Sequence, residues 1–361
     1  MIHIVLGTKA QLVKMAPVMF RMQSEGVLYN FIFTGQHKET IKQMLNDFRL
    51  KSPDAVLYEG KDITSVWSMA WWSLKTFIKA IFSSKKLFKY DQHGIVLVHG
   101  DTLSTLLGAL MGRVAGLKVG HIESGLRSHN IFHPFPEEMI RIMTFRLSDI
   151  LFCPGTWAVQ NVKHLSKEII DTKANTLYDT LLMHSPRCFG LDRAPNVPYA
   201  LVSLHRYENI FNRKRLESIL DLLESVAAKH KLLFILHPAT DRQLQRYHYY
   251  ERLSRNENIE LRKRYNHSDF LTLLKGCLFV VTDGGSLQEE SYYLGIPCIL
   301  LRKATERKEG VGENVVLSKY DAKIIEEFSL SYNEYRKGIA KLTVNPSSII
   351  LSRISEFSAP A

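Results

Sequence analysis

The chain has 361 residues, more than one hydrophobic core ordinarily serves, so two domains are expected. Hydrophobic residues make up 45% and charged residues 23%, a balance that excludes wholesale disorder. A formal net charge of +11 favours an anionic partner, but with no ribonucleoprotein, zinc-finger or glycine-lysine-serine phosphate-loop pattern, nucleic acid is not expected among the partners.

The N-terminus MIHIVLGTKA opens directly on a strand pattern, without the charged, apolar and small-residue order of a signal peptide. The four cysteines (Cys153, Cys188, Cys277, Cys298) form no CxxC pair. A reducing, cytoplasmic location is therefore expected, with no metal site and no disulfide framework. Aliphatic and β-branched runs at Ile2–Leu6, Phe31–Phe33, Ile95–Val98, Val119–Ile122 and Ile150–Phe152 alternate with stretches of helical period, the pattern of βαβ units on a parallel sheet. The pattern repeats at Ala200–Leu204, Leu232–Leu236, Ile259–Leu261, Leu278–Thr282 and Cys298–Leu301. The polar stretch SKEIIDTKAN between the two series marks the junction, dividing a domain of residues 1–168 from one of residues 169–346. A last helix after Asn345-Pro346 is placed back on the first domain, over residues 347–361. The expected fold class is α/β: two Rossmann-like, doubly wound domains facing across a cleft, with ligands at the carboxyl ends of the strands.

The groups capable of chemistry follow predicted strands. Gly7-Thr8-Lys9 opens a helix, where N–H groups and the Lys9 ammonium meet an anion, or where the chain simply turns. Between Val66 and Lys89 runs VWSMAWWSLKTFIKAIFSSKKLFK, with Trp67, Trp71, Leu74, Ile78 and Phe82 on one helical face and lysines around it. That composition suits an anionic membrane surface, and equally an ordinary helix covering the first sheet; it is too polar to span a bilayer. Asp101, in His99-Gly100-Asp101-Thr102, reads as a helix cap or as a general base. Glu123 and Arg127, in His121–Arg127, read as an ion pair or as site residues, and Glu137, in Pro136-Glu137-Glu138 ahead of Arg141, as a helix-start acid or a catalytic one. In the second half His205, beside Arg206, and His237 end two strands, suited to phosphate contact or proton transfer. In Thr282–Glu290 the glycines let backbone approach a pyrophosphate at a helix N-terminus, and Glu290 can accept from a ribose diol.

These motifs, in this order and spacing, resemble the UDP-N-acetylglucosamine 2-epimerase family from residue 1 to about residue 346. His99–Thr102 matches the family's H-G-D-T, His121–Arg127 its H-[IV]-E-[AS]-G-L-R, Pro136–Glu138 its P-E-E, His205–Asn209 its H-R-x-E-N, and Thr305-Glu306-Arg307 its T-E-R. Lys9 stands where the family has arginine, Gly284-Gly285-Ser286 reorders its S-G-G, and Asn345-Pro346-Ser347-Ser348 shortens its N-P-Y-G-D-G. The resemblance implies a GT-B-like fold, a homodimeric assembly, and isomerisation of UDP-GlcNAc to UDP-ManNAc for surface polysaccharide synthesis, with no cofactor. It implies Asp101, Glu123, Glu137 and His205 as the catalytic set. A UDP-sugar would be held by Lys9, Arg141, His237, Gly284, Gly285, Ser286 and Glu290, and Gln36, His37 and Lys61 stand as allosteric counterparts. The alternative kept beside it is a membrane-peripheral glycosyltransferase of the same fold, using a UDP-sugar donor and a lipid-linked acceptor.

Overall fold

The computed structural model describes residues 1–35, 38–58, 77–78, 80, 82–131, 135–183 and 195–358. Two compact units result: residues 1–183 with 342–361, and residues 184–341.

In the first unit seven parallel strands, β1 (Ile2–Leu6), β2 (Tyr29–Phe33), β3 (Ala55–Val56), β4 (Ile95–His99), β5 (Lys118–Ile122), β6 (Ile150–Cys153) and β7 (Glu168–Asp171), lie in the order β3-β2-β1-β4-β5-β6-β7. The inner strands are buried along their whole length except at Lys118, which opens β5, as expected where helices cover both faces. Val5, Val96, Val98 and Val119 meet Leu107 and Met111 of helix Leu103–Ala115 in the core. Strand order reverses between β1 and β4, which opens a crevice at their carboxyl ends.

The junction falls at Met183, later than residues 166–175. The tetrapeptide EIID, polar enough to pass for a linker, is edge strand β7, paired in register with β6, and only partly buried. Helix Leu177–Met183 then packs on helix Lys9–Ser24. Helix Pro346–Ile354, extended by a 3₁₀ turn over Ser355–Phe357, packs on both. The Ser347 N–H donates to Asp179 Oδ2 at 2.7 Å, and Arg353 Nη2 donates to Glu168 Oε2 of β7 at 2.7 Å.

The second unit carries six parallel strands, β8 (Tyr199–Ser203), β9 (Lys231–Leu236), β10 (Ile259–Lys263), β11 (Val280–Thr282), β12 (Cys298–Leu300) and β13 (Val315–Leu317), in the order β10-β9-β8-β11-β12-β13. Helix Arg213–Ala227 is capped by Asn212 and buries Leu216, Ile219, Leu220, Leu223 and Val226, a single stripe at helical spacing. Each such side chain contributes about 1.5–3 kcal/mol of burial. Strand order here reverses between β8 and β11. Among the described residues no helix is long and apolar enough to cross a membrane.

Candidate functional site

In the first unit the chemistry gathers beside the β1–β4 reversal. Thr8 caps helix Lys9–Ser24 in a reciprocal box with Gln11, which places half-buried Lys9 at the first helical position. After β4 the cap of the next helix is Thr102, not Asp101. Asp101 is thereby released from capping, and its Oδ2 accepts from Arg141 Nε at 2.9 Å and Nη2 at 2.6 Å. Arg141 Nη1 donates to Glu138 Oε2 at 3.2 Å, so this buried guanidinium bridges Asp101 and Glu138.

Glu138 is fully buried and also accepts from Arg127 Nε at 2.5 Å and the Ser128 N–H at 3.0 Å. Burial alone pushes its pKa up, but Arg127, the Ser128 N–H and Arg141 outweigh it and hold the carboxyl below its ordinary range. Arg127 therefore pairs with Glu138, and the simple Glu123–Arg127 pair is not formed. Glu123, in the left-handed region at φ 64°, instead receives buried Lys14 and Asn175 on Oε2. A non-glycine residue held in this conformation is uncommon and concentrates at functional sites. Glu137 sits half-buried in the first turn of helix Glu137–Leu147.

His121 ties these groups together. It is fully buried, and its Nε2–H donates to the Gly100 carbonyl at 2.7 Å, fixing the turn that presents Asp101. Burial pulls its pKa down to about 4; the Gly100 carbonyl, Asp101 and Glu123 oppose this, and Arg141 reinforces it. His3, fully buried beside Asp91, is also pulled down to about 4, chiefly by burial. The unfolded imidazoles protonate near pH 6.5, so between there and pH 4 the unfolded chain binds the extra protons. Stability is full above that window and falls as pH drops through it, by about 1–3 kcal/mol per histidine. Urea titrations at pH 7.0 and pH 5.0 are expected to show the lower midpoint at pH 5.0. A His121→Asn variant with an unchanged pH slope would count against this assignment.

Lys14 and Asn175 had no place among the expected site residues. The signal for Lys14 was present, a lone lysine inside the apolar run LVKMAPVMF; Asn175 lay in the stretch read as a linker. Gln36, His37 and Lys61 lie outside the described residues, as do residues 66–76, 79 and 81 of the aromatic and basic segment. In the described part of that segment Ile78 and Phe82 are exposed beside Lys85, Lys86 and Lys89, whereas Ala80, Ser84 and Phe88 are buried.

In the second unit the polar groups line the strand ends around the β8–β11 reversal. Asp283, fully buried after β11, accepts from the His205 N–H at 3.0 Å, the Arg206 N–H at 3.1 Å and Asn209 Nδ2 at 2.9 Å. It shapes the turn that carries His205, whose Nδ1 lies 3.5 Å from Asp283 Oδ1. Desolvation by the surrounding chain lowers the His205 pKa, and Asp283 opposes it. The His237 ring is 5.5 Å from that of His205.

Space at the two glycines is tight: a Cβ on Gly284 would lie 2.6 Å from Cε1 of the exposed His205 ring, which would have to move, and one on Gly285 2.6 Å from Nε of buried Arg307. Helix Gly285–Leu294 starts at these glycines with exposed Ser286, aiming unpaired N–H groups and a dipole at any anion there. Glu290, buried one turn in, has Oε1 3.3 Å from His267 Nε2. Glu289 beside it pairs with Arg307 Nη1 at 2.5 Å.

A family model for UDP-N-acetylglucosamine 2-epimerase matches residues 21–346. The UDP-N-acetylglucosamine 2-epimerase of Methanococcus maripaludis is 32% identical over 331 residues, 87% of this chain and 86% of that protein. The enzyme of the same name from Methanocaldococcus jannaschii is 28% identical over 351 residues, 93% of each. Among solved structures, the M. jannaschii UDP-GlcNAc 2-epimerase in complex with UDP-GlcNAc and UDP superposes with a TM-score of 0.83 at 26% identity, covering 99% of both chains. The Neisseria meningitidis UDP-GlcNAc 2-epimerase bound to UDP-GlcNAc gives 0.83 at 28% identity, covering 98% of this chain and 99% of that one. The expected α/β class with two Rossmann-like, GT-B-like halves stands.

Proposed function

The chain belongs to the UDP-N-acetylglucosamine 2-epimerase family, and from that premise we propose that it interconverts UDP-GlcNAc and UDP-ManNAc. The observation that carries the reading is the grouping of Asp101, Glu123 and Arg141 around His121 at the ends of β4 and β5. Inversion at C2 requires the anomeric C1–O bond to break, its electron pair leaving on UDP, while the C2 proton passes to a base and a C1=C2 double bond remains. Returning the proton to the other face as UDP adds back gives the epimer. No electrons enter or leave, and carboxylates with N–H and cationic donors suffice.

Asp101 is the base at C2. Arg141 occupies its Oδ2 and fixes its orientation, and Oδ1 accepts no hydrogen bond from the described residues. Glu137 serves the opposite face. Glu123, clamped by Lys14 and Asn175, is a positioning residue for this cluster. His205 donates to the departing phosphate, and Lys9, His237, Gly284, Gly285, Ser286 and Glu290 hold the UDP moiety.

Proton NMR of UDP-GlcNAc with the protein in D2O tests the reading. UDP-ManNAc carrying deuterium at C2 is the expected product. A substrate that binds but stays unchanged, or an epimer that keeps protium at C2, overturns it.

A further inference from the structure

The row of nitrogen-bearing side chains at the strand ends of the second unit extends one strand further than the residues assigned so far. In the parallel pair β9–β10, Leu236 lies opposite Lys263, so the next residues, His237 and Arg264, leave the sheet side by side. Arg264 Nη1 stands 3.3 Å from His237 Nε2, and the His237 ring 5.5 Å from that of His205, which lies against Gly284. Arg264, His237 and His205 thus form a line leading to the N-terminus of helix Gly285–Leu294. A guanidinium has five N–H donors, and His237 is the partner of one of them.

The connection after β10 is held in shape. Tyr265 Oη accepts from Arg262 Nη1 at 3.1 Å, and Asn266 caps helix His267–Gly276, its Oδ1 accepting from the Asp269 N–H at 2.8 Å. Three residues after Arg264, His267 reaches Glu290 at 3.3 Å. One four-residue connection therefore touches two separate groups assigned to UDP. Desolvation by the surrounding chain pulls the Arg264 pKa below its ordinary value while the residue stays exposed, the condition of a group lining a recess.

We propose that Arg264 is a further nucleotide-binding residue, its guanidinium donating to oxygen acceptors of the bound nucleotide. This rests on the epimerase reading. The acceptors are phosphate oxygens or the pyrimidine carbonyls, both of which suit a planar, charged donor.

Calorimetric titration of the full chain with UDP and with uridine tests it. Arg264→Ala is expected to weaken UDP about tenfold or more, with Arg264→Lys recovering part of the loss. Loss for UDP alone assigns the phosphates, and loss for uridine as well assigns the base. UDP affinity unchanged within about twofold in a variant whose thermal melt matches wild type overturns the proposal, a factor worth only about 0.4 kcal/mol. So does an effect that vanishes in a His237→Ala background, since Arg264 would then only position His237. Wild-type protein that binds no UDP removes the epimerase reading itself, a separate outcome from the failure of Arg264 alone.

Discussion

Asp101→Asn is expected to lower epimerisation by about 10²–10⁴-fold, the range for loss of a general base, while UDP affinity stays within a few-fold of wild type. The amide keeps the size of the side chain but presents no basic oxygen to a C2 proton. It can still accept from Arg141, whose Nη1 retains Glu138, so the buried guanidinium keeps charged company and the fold survives. Apart from Lys9, the groups assigned to UDP belong to the other unit, where they depend on Asp283, His237 and the glycine turn. Rates of UDP-ManNAc formation and UDP calorimetry separate the two effects. A rate within about threefold of wild type would remove Asp101 from the C2 chemistry. A parallel loss of UDP affinity would instead indicate a damaged structure.

What could be read in advance follows from how a parallel sheet is built. Strands covered on both faces need unbroken aliphatic runs, so IHIVL, IVLVH and YALVS announce themselves, and the polar residues closing each run fall at the ends where ligands bind. Edge strands lack that requirement: β3 and β13 are two and three residues long, and β7 reads as a polar tetrapeptide. Ion-pair partners were less legible, because they are set by which elements lie side by side in space. Nearness in sequence couples Glu123 to Arg127, whereas the fold gives Arg127 to Glu138 and Glu123 to Lys14. Asp283 was visible within a motif dominated by its glycines, but its three hydrogen bonds to the loop after β8 depend on β8 and β11 being neighbours.

Lys14→Met is expected to be the most destabilising single change at the site, at about 3–5 kcal/mol, because it removes a buried cation from a buried carboxylate. Methionine fills the volume beside Met15 and Val18, so packing is nearly conserved and the loss is electrostatic. Asn175 remains as a donor to Glu123, but a neutral amide cannot offset an ionised carboxylate in this position. The compensating change is Glu123→Gln: with both charges gone, Lys14→Met/Glu123→Gln is expected to regain most of the lost stability, since a buried pair contributes little net over neutral groups of similar shape. Epimerisation should not return with it, because Glu123 is then no longer a carboxylate beside the turn that carries Asp101. Urea unfolding of the three variants measures the coupling, and NMR rates at a temperature where all are folded measure the chemistry. If Lys14→Met unfolds at the wild-type midpoint, the pair is energetically inert and Glu123 owes its position to Asn175 and its backbone alone. If stability and rate both recover in the double variant, Glu123 is a structural acid and Asp101 works without it.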